Sequence, residues 1–365
     1  MRVCKSDYYL NFRDSCFFLM KKDKFCVFDS SKRKENSQMR RKSFEMQYLE
    51  TLQARTSLND REKQQLLACQ KGYKGELQVD ELIERIIKDR YPVLDDVNLI
   101  FDKQRIQVDK LLQIGNKLYL IDIKNYRGHY VFRDRTWYCN GKPLTHSIFG
   151  QIDRTHDILA RIFAENHVNI EIIKVLVFTD HKAVLDIKEE TGVVVKYLWD
   201  FCGWAQKLCS QSAQNAQMRW QESLQPYIVT FYRPDNDFST EIDRKLTKGI
   251  KCPNCGGFEL HQHRYYLRCK HCEYCQPKET AYVCTICEYG ILFFKENLRI
   301  SDLLDFLGER YSRSYLERVL VKHFNSLKFK SKQFCYQNKG IEFQYWFGDR
   351  KNYFDKVQDR IHWGS

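Results

Sequence analysis

The sequence predicts an α/β protein with a mixed-sheet core flanked by helices, followed by a small cysteine-rich module and a small α+β C-terminal unit. Three observations carry this reading. Two β-rich runs, Arg105 to Ile114 and Lys117 to Asn125, are split by Gly115-Asn116; helical patterns flank further strand-like runs on either side; and two Cys-x-x-Cys pairs lie near residue 260. A Gly-Asn dipeptide between strand-like runs marks a two-residue hairpin, and such a turn fixes the register. Asp109 then stands opposite Asp122. Alternation places Gln107, Asp109, Leu111, Leu118, Leu120, Asp122 and Lys124 on one face, and Ile106, Val108, Leu112, Ile121 and Ile123 on the other. Carboxylates facing each other at about 5 Å repel, and a divalent cation between them would turn repulsion into ligation.

The helix before the hairpin has Val79, Leu82, Ile83, Ile86 and Ile87 at helical spacing, with Gly72-Tyr73-Lys74-Gly75 expected to break it from a charged, Gln-rich helix over 46–71. Glu76 lies three residues before Val79 and seven before Ile83, on the apolar face. A first-turn Glu favoured by the helix dipole is the plainer alternative. After the hairpin, His129 to Cys139 reads as one strand. Ser147 to Gly150 starts a helix with an Ile158, Leu159, Ile162, Phe163 stripe, and Gln151 shares its side. Ile170 to Phe178 and Gly192 to Leu198 read as buried strands.

Charge is concentrated at the ends. Residues 1–45 and 251–365 each carry a net +6, and the 205 residues between them +1. Basic flanks suit a phosphate backbone, and a plainly solvated surface is the alternative. Residues 1–45, with Lys32-Arg33-Lys34 and Arg40-Arg41-Lys42, read as a disordered basic arm, or as a product of a start placed upstream of Met39 or Met46. No apolar run reaches the length of a membrane span and no secretory signal is evident, so a cytoplasmic location and no membrane partner are expected.

Seven of the fifteen cysteines fall between Cys252 and Cys287. Cys252-Pro253-Asn254-Cys255-Gly256 and Cys269-Lys270-His271-Cys272, with thirteen residues between the pairs, form two knuckles whose thiolates would close a tetrahedral structural Zn²⁺ site, a zinc ribbon. Cys272 and Cys275 share the same spacing, but the strand-like Arg264 to Arg268 leads straight into Cys269. Cys284 and Cys287 are expected as small buried residues of a helix, and His261, His263 and His271 as non-ligands. Beyond the ribbon, Ser301 is expected to cap a helix with Leu303, Leu304 and Leu307, and Ser312 a second with Leu316, Val319, Leu320 and Phe324. Two strand-like runs follow, Lys328 to Tyr336 and Ile341 to Phe347. That outline is winged-helix-like, with Arg313, Arg318, Lys328, Lys330 and Lys332 as candidate nucleic-acid contacts, to phosphate rather than bases.

Gly75-Glu76, Gln107-Val108-Asp109, Ile121-Asp122-Ile123-Lys124-Asn125, Gly128, Trp137 and Gln151, in this order and spacing, resemble the nuclease-related domain (NERD), a member of the PD-(D/E)xK nuclease superfamily. The resemblance covers roughly residues 70–205. It implies that Glu76, Asp109 and Asp122 are ligands of Mg²⁺ (or Mn²⁺), that Lys124 is the catalytic lysine, and that Gln151 is the glutamine of the helix after the strands. The family more often has Glu where this chain has Asp122, and Asp is one methylene shorter. The ribbon resembles those of topoisomerases, which implies nucleic-acid contact, and the family's occurrence implies a bacterial setting.

The organisation expected is therefore an arm (1–45), a helical lead-in (46–71), a nuclease-related domain (72–210), a linker (211–250), a zinc ribbon (251–276) and a C-terminal helical and hairpin unit (277–365). The function expected is a metal-dependent nuclease acting on DNA. The alternatives are a non-catalytic nucleic-acid-binding protein that retains the fold, and a scaffold or membrane-surface role for the arm.

Overall fold

Ser43 accepts a hydrogen bond from the Met46 N–H at 3.2 Å, so helix α1 (Phe44–Arg55) starts inside the segment expected to be a disordered arm. The computed structural model describes residues 40, 42–87, 91–211, 220–229, 244–293, 298–328 and 334–338, all within one unit beginning at Arg40. Residues 1–39 of the expected arm lie outside them. Helix α2 (Asp60–Ile87) runs unbroken through Gly72 and Gly75, contrary to the expected interruption. Two glycines cost a helix roughly 2 kcal/mol together, which tertiary packing readily outweighs.

The strands that follow are β1 (Val93–Phe101), β2 (Gln104–Ile114), β3 (Lys117–Lys124), β4 (Gly128–Arg133), β5 (Thr136–Cys139) and β6 (Lys142–Pro143). Helix α3 (Ile148–Glu165) leads to β7 (Glu171–Phe178), β8 (Ala183–Ile187) and β9 (Val194–Tyr197), then α4 (Leu198–Gln211) and α5 (Trp220–Leu224). The main sheet has the order β1-β2-β3-β7-β9, antiparallel across its first three strands and parallel from β3 onward. One face packs on α2 and α4 through Val79, Ile83, Phe201 and Ala205. The other packs on α3 and α5 through Ile158, Leu159, Ile162 and Trp220. Trp220 and Leu224, in the stretch expected to be a linker, are fully buried, and the Trp220 N–H donates to Gln113 Oε1 at 2.8 Å.

The hairpin register is as expected. Lys110 pairs with Ile121 and Ile114 with Lys117, and the paired ladder stops one position short of Asp109 and Asp122. The face assignment needs a correction. Ile106 and Val108 pack with Leu111, Leu118 and Leu120, whereas Leu112 and Ile121 pack on the opposite side. The alternation shifts by one at the level of Asp109 in β2 and of Asp96 in β1, where Asp96 has φ +48°. Gln107 is consequently drawn away from Lys124 and donates to Asp96 Oδ1 at 2.7 Å.

Residues 129–139 form a hairpin, β4 and β5, rather than one strand. Asp134 and Arg135 make its turn with φ +49° and +56°, and the hairpin joins a second sheet, β6-β5-β4-β8.

The C-terminal part comprises β10 (Leu260–Gln262), β11 (Tyr266–Cys269), β12 (Cys275–Pro277), α6 (Lys278–Phe293), β13 (Leu298–Arg299), α7 (Ile300–Leu307), α8 (Arg313–His323), β14 (Phe324–Lys328) and β15 (Phe334–Asn338). From α6 onward the order helix, strand, helix, helix, hairpin, with a sheet ordered β13-β15-β14, is the connectivity of a winged helix. Ser312 caps α8 as expected. The residue before α7 is Arg299, not Ser301, and it makes no side-chain cap. Lys328 ends β14; Lys330, Lys332 and residues 341–347 lie outside the described residues.

One apolar cluster joins α1, the start of α2, the ribbon, α6, α7 and α8, so the lead-in helices bridge the two halves of the chain. Among the described residues no helix is long and apolar enough to cross a membrane.

Candidate metal-dependent site and zinc ribbon

Strand β3 carries Asp122 and Lys124 at its C-terminal end, two residues apart and therefore on the same face. Both are buried, 8% and 7% exposed, where unpaired charges are costly. They pair with each other, Lys124 Nζ standing 3.1 Å from Asp122 Oδ1 and 2.8 Å from Oδ2. Lys124 also donates to Gln151 Oε1 at 2.9 Å, which ties the strand to the first turn of α3. Ser147 caps that helix and accepts from the Gly150 N–H at 3.0 Å, setting the position of Gln151. Asp109 Oδ2 accepts from the Ile123 backbone N–H at 2.9 Å and so enters between the other two residues.

The electrostatics reflect the crowding. Burial, then the Asp122 and Glu76 carboxylates, push Asp109 up to about 7 against the opposing pull of Lys124 and the Ile123 N–H. Burial works against the Lys124 ammonium, but Asp122 and Asp109 outweigh it and raise its pKa above that of an ordinary lysine. Burial also raises Glu76, with Asp96 and Asp80 adding to it and Arg40 opposing.

A native carboxyl raised above its unfolded value, about 3.9, holds a proton that the unfolded chain has lost. Stability of the metal-free protein therefore falls as pH rises from about 4 through about 7. Urea denaturation between pH 5 and pH 8 is expected to show this decline, and Asp109→Asn to flatten it; an unchanged slope in the variant would exclude Asp109 as the cause.

Glu76 lies in the middle of α2 rather than in a first turn, so the dipole alternative is set aside. Its placement depends on Gly75. A Cβ there would meet Thr179 Oγ1 at 2.7 Å and Asn125 Cβ at 2.9 Å, and Asn125 in turn donates to Lys71 O at 2.7 Å. Gly75 thus lets α2 approach the ends of β3 and β7. Glu76 accepts from Arg40 Nη1 at 3.0 Å, and Arg40 Nε donates to Asp80 Oδ2 at 2.7 Å. Lys110 pairs with Asp80 at 2.9 Å and with Asp95.

Arg40, Asp80 and Lys110 are site neighbours that the sequence reading missed. Asp80 follows Glu76 by four residues and Lys110 interrupts an apolar run, and both were usable signals. Arg40 had none beyond its charge.

The donor set suits a hard divalent cation. Asp109 retains one oxygen not used by Ile123, and Asp122 Oδ2 is buried without a hydrogen bond although Lys124 Nζ stands near it, out of alignment. A buried carboxylate oxygen with an unfilled hydrogen-bonding position would suit such a cation. Glu76, Asp109 and Asp122 do not together close a three-ligand cluster. Among the described residues, only the four ribbon cysteines bring three or more ligand atoms within 4.8 Å of one another.

Those cysteines are Cys252, Cys255, Cys269 and Cys272, as the spacing predicted, with Cys252 Sγ 3.6 Å from Cys272 Sγ and Cys255 Sγ 3.5 Å from Cys269 Sγ. Each knuckle is a tight turn: the Gly256 N–H donates to Cys252 O at 2.9 Å, and the Glu273 N–H to Cys269 O at 3.1 Å. The cluster fits structural zinc. Cys275 starts β12 outside it, and Cys284 and Cys287 lie in α6 as expected.

Because Cys252, Leu260, Leu267 and Cys269 also belong to the apolar cluster around α6, metal loss is expected to loosen more than the ribbon. Cys252→Ser, or a zinc chelator, should lower the thermal midpoint and release one zinc per chain by metal analysis. Retention of both zinc and midpoint in the variant would reject the ligand assignment.

A family model described as nuclease-related domain matches residues 71–179. No curated protein and no solved structure matches the chain. The matched span begins just before Gly75 and Glu76 and ends at Thr179, against which Gly75 packs, and it contains Asp109, Asp122, Lys124 and Gln151. The chain therefore carries a nuclease-related domain at residues 71–179, within a mixed α/β fold that continues into a four-cysteine ribbon and a C-terminal unit.

Proposed function

We propose that this protein hydrolyses phosphodiester bonds in nucleic acid, with DNA as the substrate and Mg²⁺ or Mn²⁺ as the cofactor. The observation that supports it most is the cluster of Lys124, Asp122, Asp109 and Gln151: a buried Asp122 and Lys124 pair, met by the half-buried Asp109 and the exposed Gln151 from two further elements, a gathering of polar groups that packing alone does not require. Asp109 and Asp122, joined by Glu76, would hold the cation, which when bound supplies charge neutralisation at phosphorus and a water reactive at neutral pH. Lys124 keeps its proton, so it acts as a fixed positive charge and hydrogen-bond donor toward the developing phosphorane rather than as a base. Gln151, hydrogen-bonding through its amide, orients Lys124 and titrates nothing.

The ribbon and the C-terminal unit would hold the substrate. In the winged-helix connectivity, α8 occupies the place of the helix that enters a groove. Arg318 is exposed there, lying 5.0 Å over the Tyr315 ring, while Arg313 is paired along its own helix with Glu317 at 2.9 Å. Arg318 is the better phosphate contact of the two.

A second reading, a binding protein that keeps the fold without catalysis, is favoured by one observation: Glu76 is paired with Arg40 and closes no three-ligand cluster with Asp109 and Asp122. Incubating the purified chain with plasmid DNA, single-stranded DNA and RNA, in Mg²⁺ or EDTA, separates the two. Mg²⁺-dependent cutting supports the enzyme; intact substrates bound tightly and salt-sensitively support the binding protein.

A further inference from the structure

Arg40 is 4% exposed at its side chain, and all three guanidinium nitrogens are spent on the candidate site. Nη1 donates to Glu76 Oε2 at 3.0 Å, Nε to Asp80 Oδ2 at 2.7 Å, and Nη2 to Asp80 Oδ1 at 3.2 Å and to the Asp109 carbonyl at 3.3 Å. The backbone is fixed as well, since the Tyr73 hydroxyl, three residues before Glu76, donates to Arg40 O at 2.8 Å. A planar fork with several donors suits two carboxylates better than any other side chain does. Glu76 is paired with Arg40 in this state and closes no three-ligand cluster with Asp109 and Asp122. Asp80, four residues on and also held by Lys110, keeps the guanidinium in place.

We propose that Arg40 is a positioning residue that acts through Glu76: its guanidinium is a built-in counter-ion that a divalent cation must displace before Glu76 can join Asp109 and Asp122. This rests on the metal-site reading above. One cation is exchanged for another at a single carboxylate, so Arg40 sets the affinity of the site without touching the substrate or the cation. The exchange is local, because Asp80 remains available to the guanidinium after Glu76 has left it. A merely structural Arg40 makes the opposite prediction, since losing it would loosen α2 and weaken cation binding.

Mn²⁺ binding to the full, zinc-loaded chain, followed by calorimetry, distinguishes the two. Arg40→Gln is expected to bind Mn²⁺ about tenfold more tightly than the wild type, within the usual range of coupling between two ligands of one protein. Arg40→Lys, which restores the charge, is expected to return toward the wild-type Kd. Tyr73→Phe removes only the hydrogen bond that fixes the Arg40 backbone and should shift the Kd in the same direction by less; it decides the matter if Arg40→Gln does not fold. Equal or weaker binding in both Arg40→Gln and Tyr73→Phe would overturn the proposal. Asp122→Ala separates this failure from that of the metal site. Binding that survives Asp122→Ala contradicts the site itself, whereas binding that requires Asp122 without a gain in Arg40→Gln contradicts only the role of Arg40.

Discussion

Lys124→Met is expected to lower the rate of nucleic-acid cleavage by about 10²- to 10³-fold, the usual effect of removing one preorganised charge from a reaction centre. Met preserves most of the stem volume, so the change isolates the ammonium. Divalent-ion binding should persist or tighten in the same variant, because Lys124 Nζ lies within 3.1 Å of both Asp122 oxygens and competes for them. Loss of cleavage with retained Mn²⁺ binding would place Lys124 in catalysis rather than ligation. Retained cleavage would exclude it from the reaction.

The largest expected effect on stability is remote from that site. Arg55 is 1% exposed at the junction of α1, α6 and the segment entering the ribbon. Its Nε donates to Glu288 Oε2 at 3.1 Å, its Nη1 to Thr247 O at 2.9 Å and to Gly249 O at 3.2 Å, and its guanidinium lies 4.1 Å over the Phe306 ring. Breaking a buried pair by removing one partner costs about 3–5 kcal/mol. Glu288 keeps Lys251 at 3.3 Å, so Arg55→Ala should fall near the lower end, about 3 kcal/mol. Because the two carbonyls also lose their donor, the double variant with Glu288→Leu is expected to recover only part of it. Chemical denaturation followed by circular dichroism reads both; a loss below about 1 kcal/mol, the worth of an exposed pair, would show that the pair is not buried in solution.

What could be read from the sequence follows from how local each signal is. The β2 and β3 hairpin announces itself because Gly115 takes φ +63° beside Asn116 between strand-like runs, and the turn then sets the register from Ile114–Lys117 to Lys110–Ile121. The zinc cluster is legible because knuckle spacing is itself the geometry of the site. Ser147 and Ser312 were found because a cap acts over three residues.

The β4 and β5 turn was missed because Asp134 and Arg135 adopt left-handed backbone without a glycine to mark it. The shift of faces at Asp96 and Asp109 was missed for the same reason, and it removed Gln107 from the site. Gly75 looks like a helix breaker in the sequence because its close approach to Asn125 and Thr179 is tertiary. Arg40 is part of a basic segment by charge alone, and its partners Glu76 and Asp80 lie 36 and 40 residues away. Pattern within a turn or a strand is visible in one dimension. Which buried charge meets which is not.

Cleavage of a labelled DNA substrate by the purified chain, measured in Mg²⁺ beside Asp122→Ala, decides whether the protein is a metal-dependent nuclease. Cutting by the wild type is expected, abolished by EDTA and absent in Asp122→Ala, with the circular dichroism spectrum unchanged. Cutting that survives both EDTA and Asp122→Ala, or no cutting by a wild type that binds both Mn²⁺ and DNA, would contradict it.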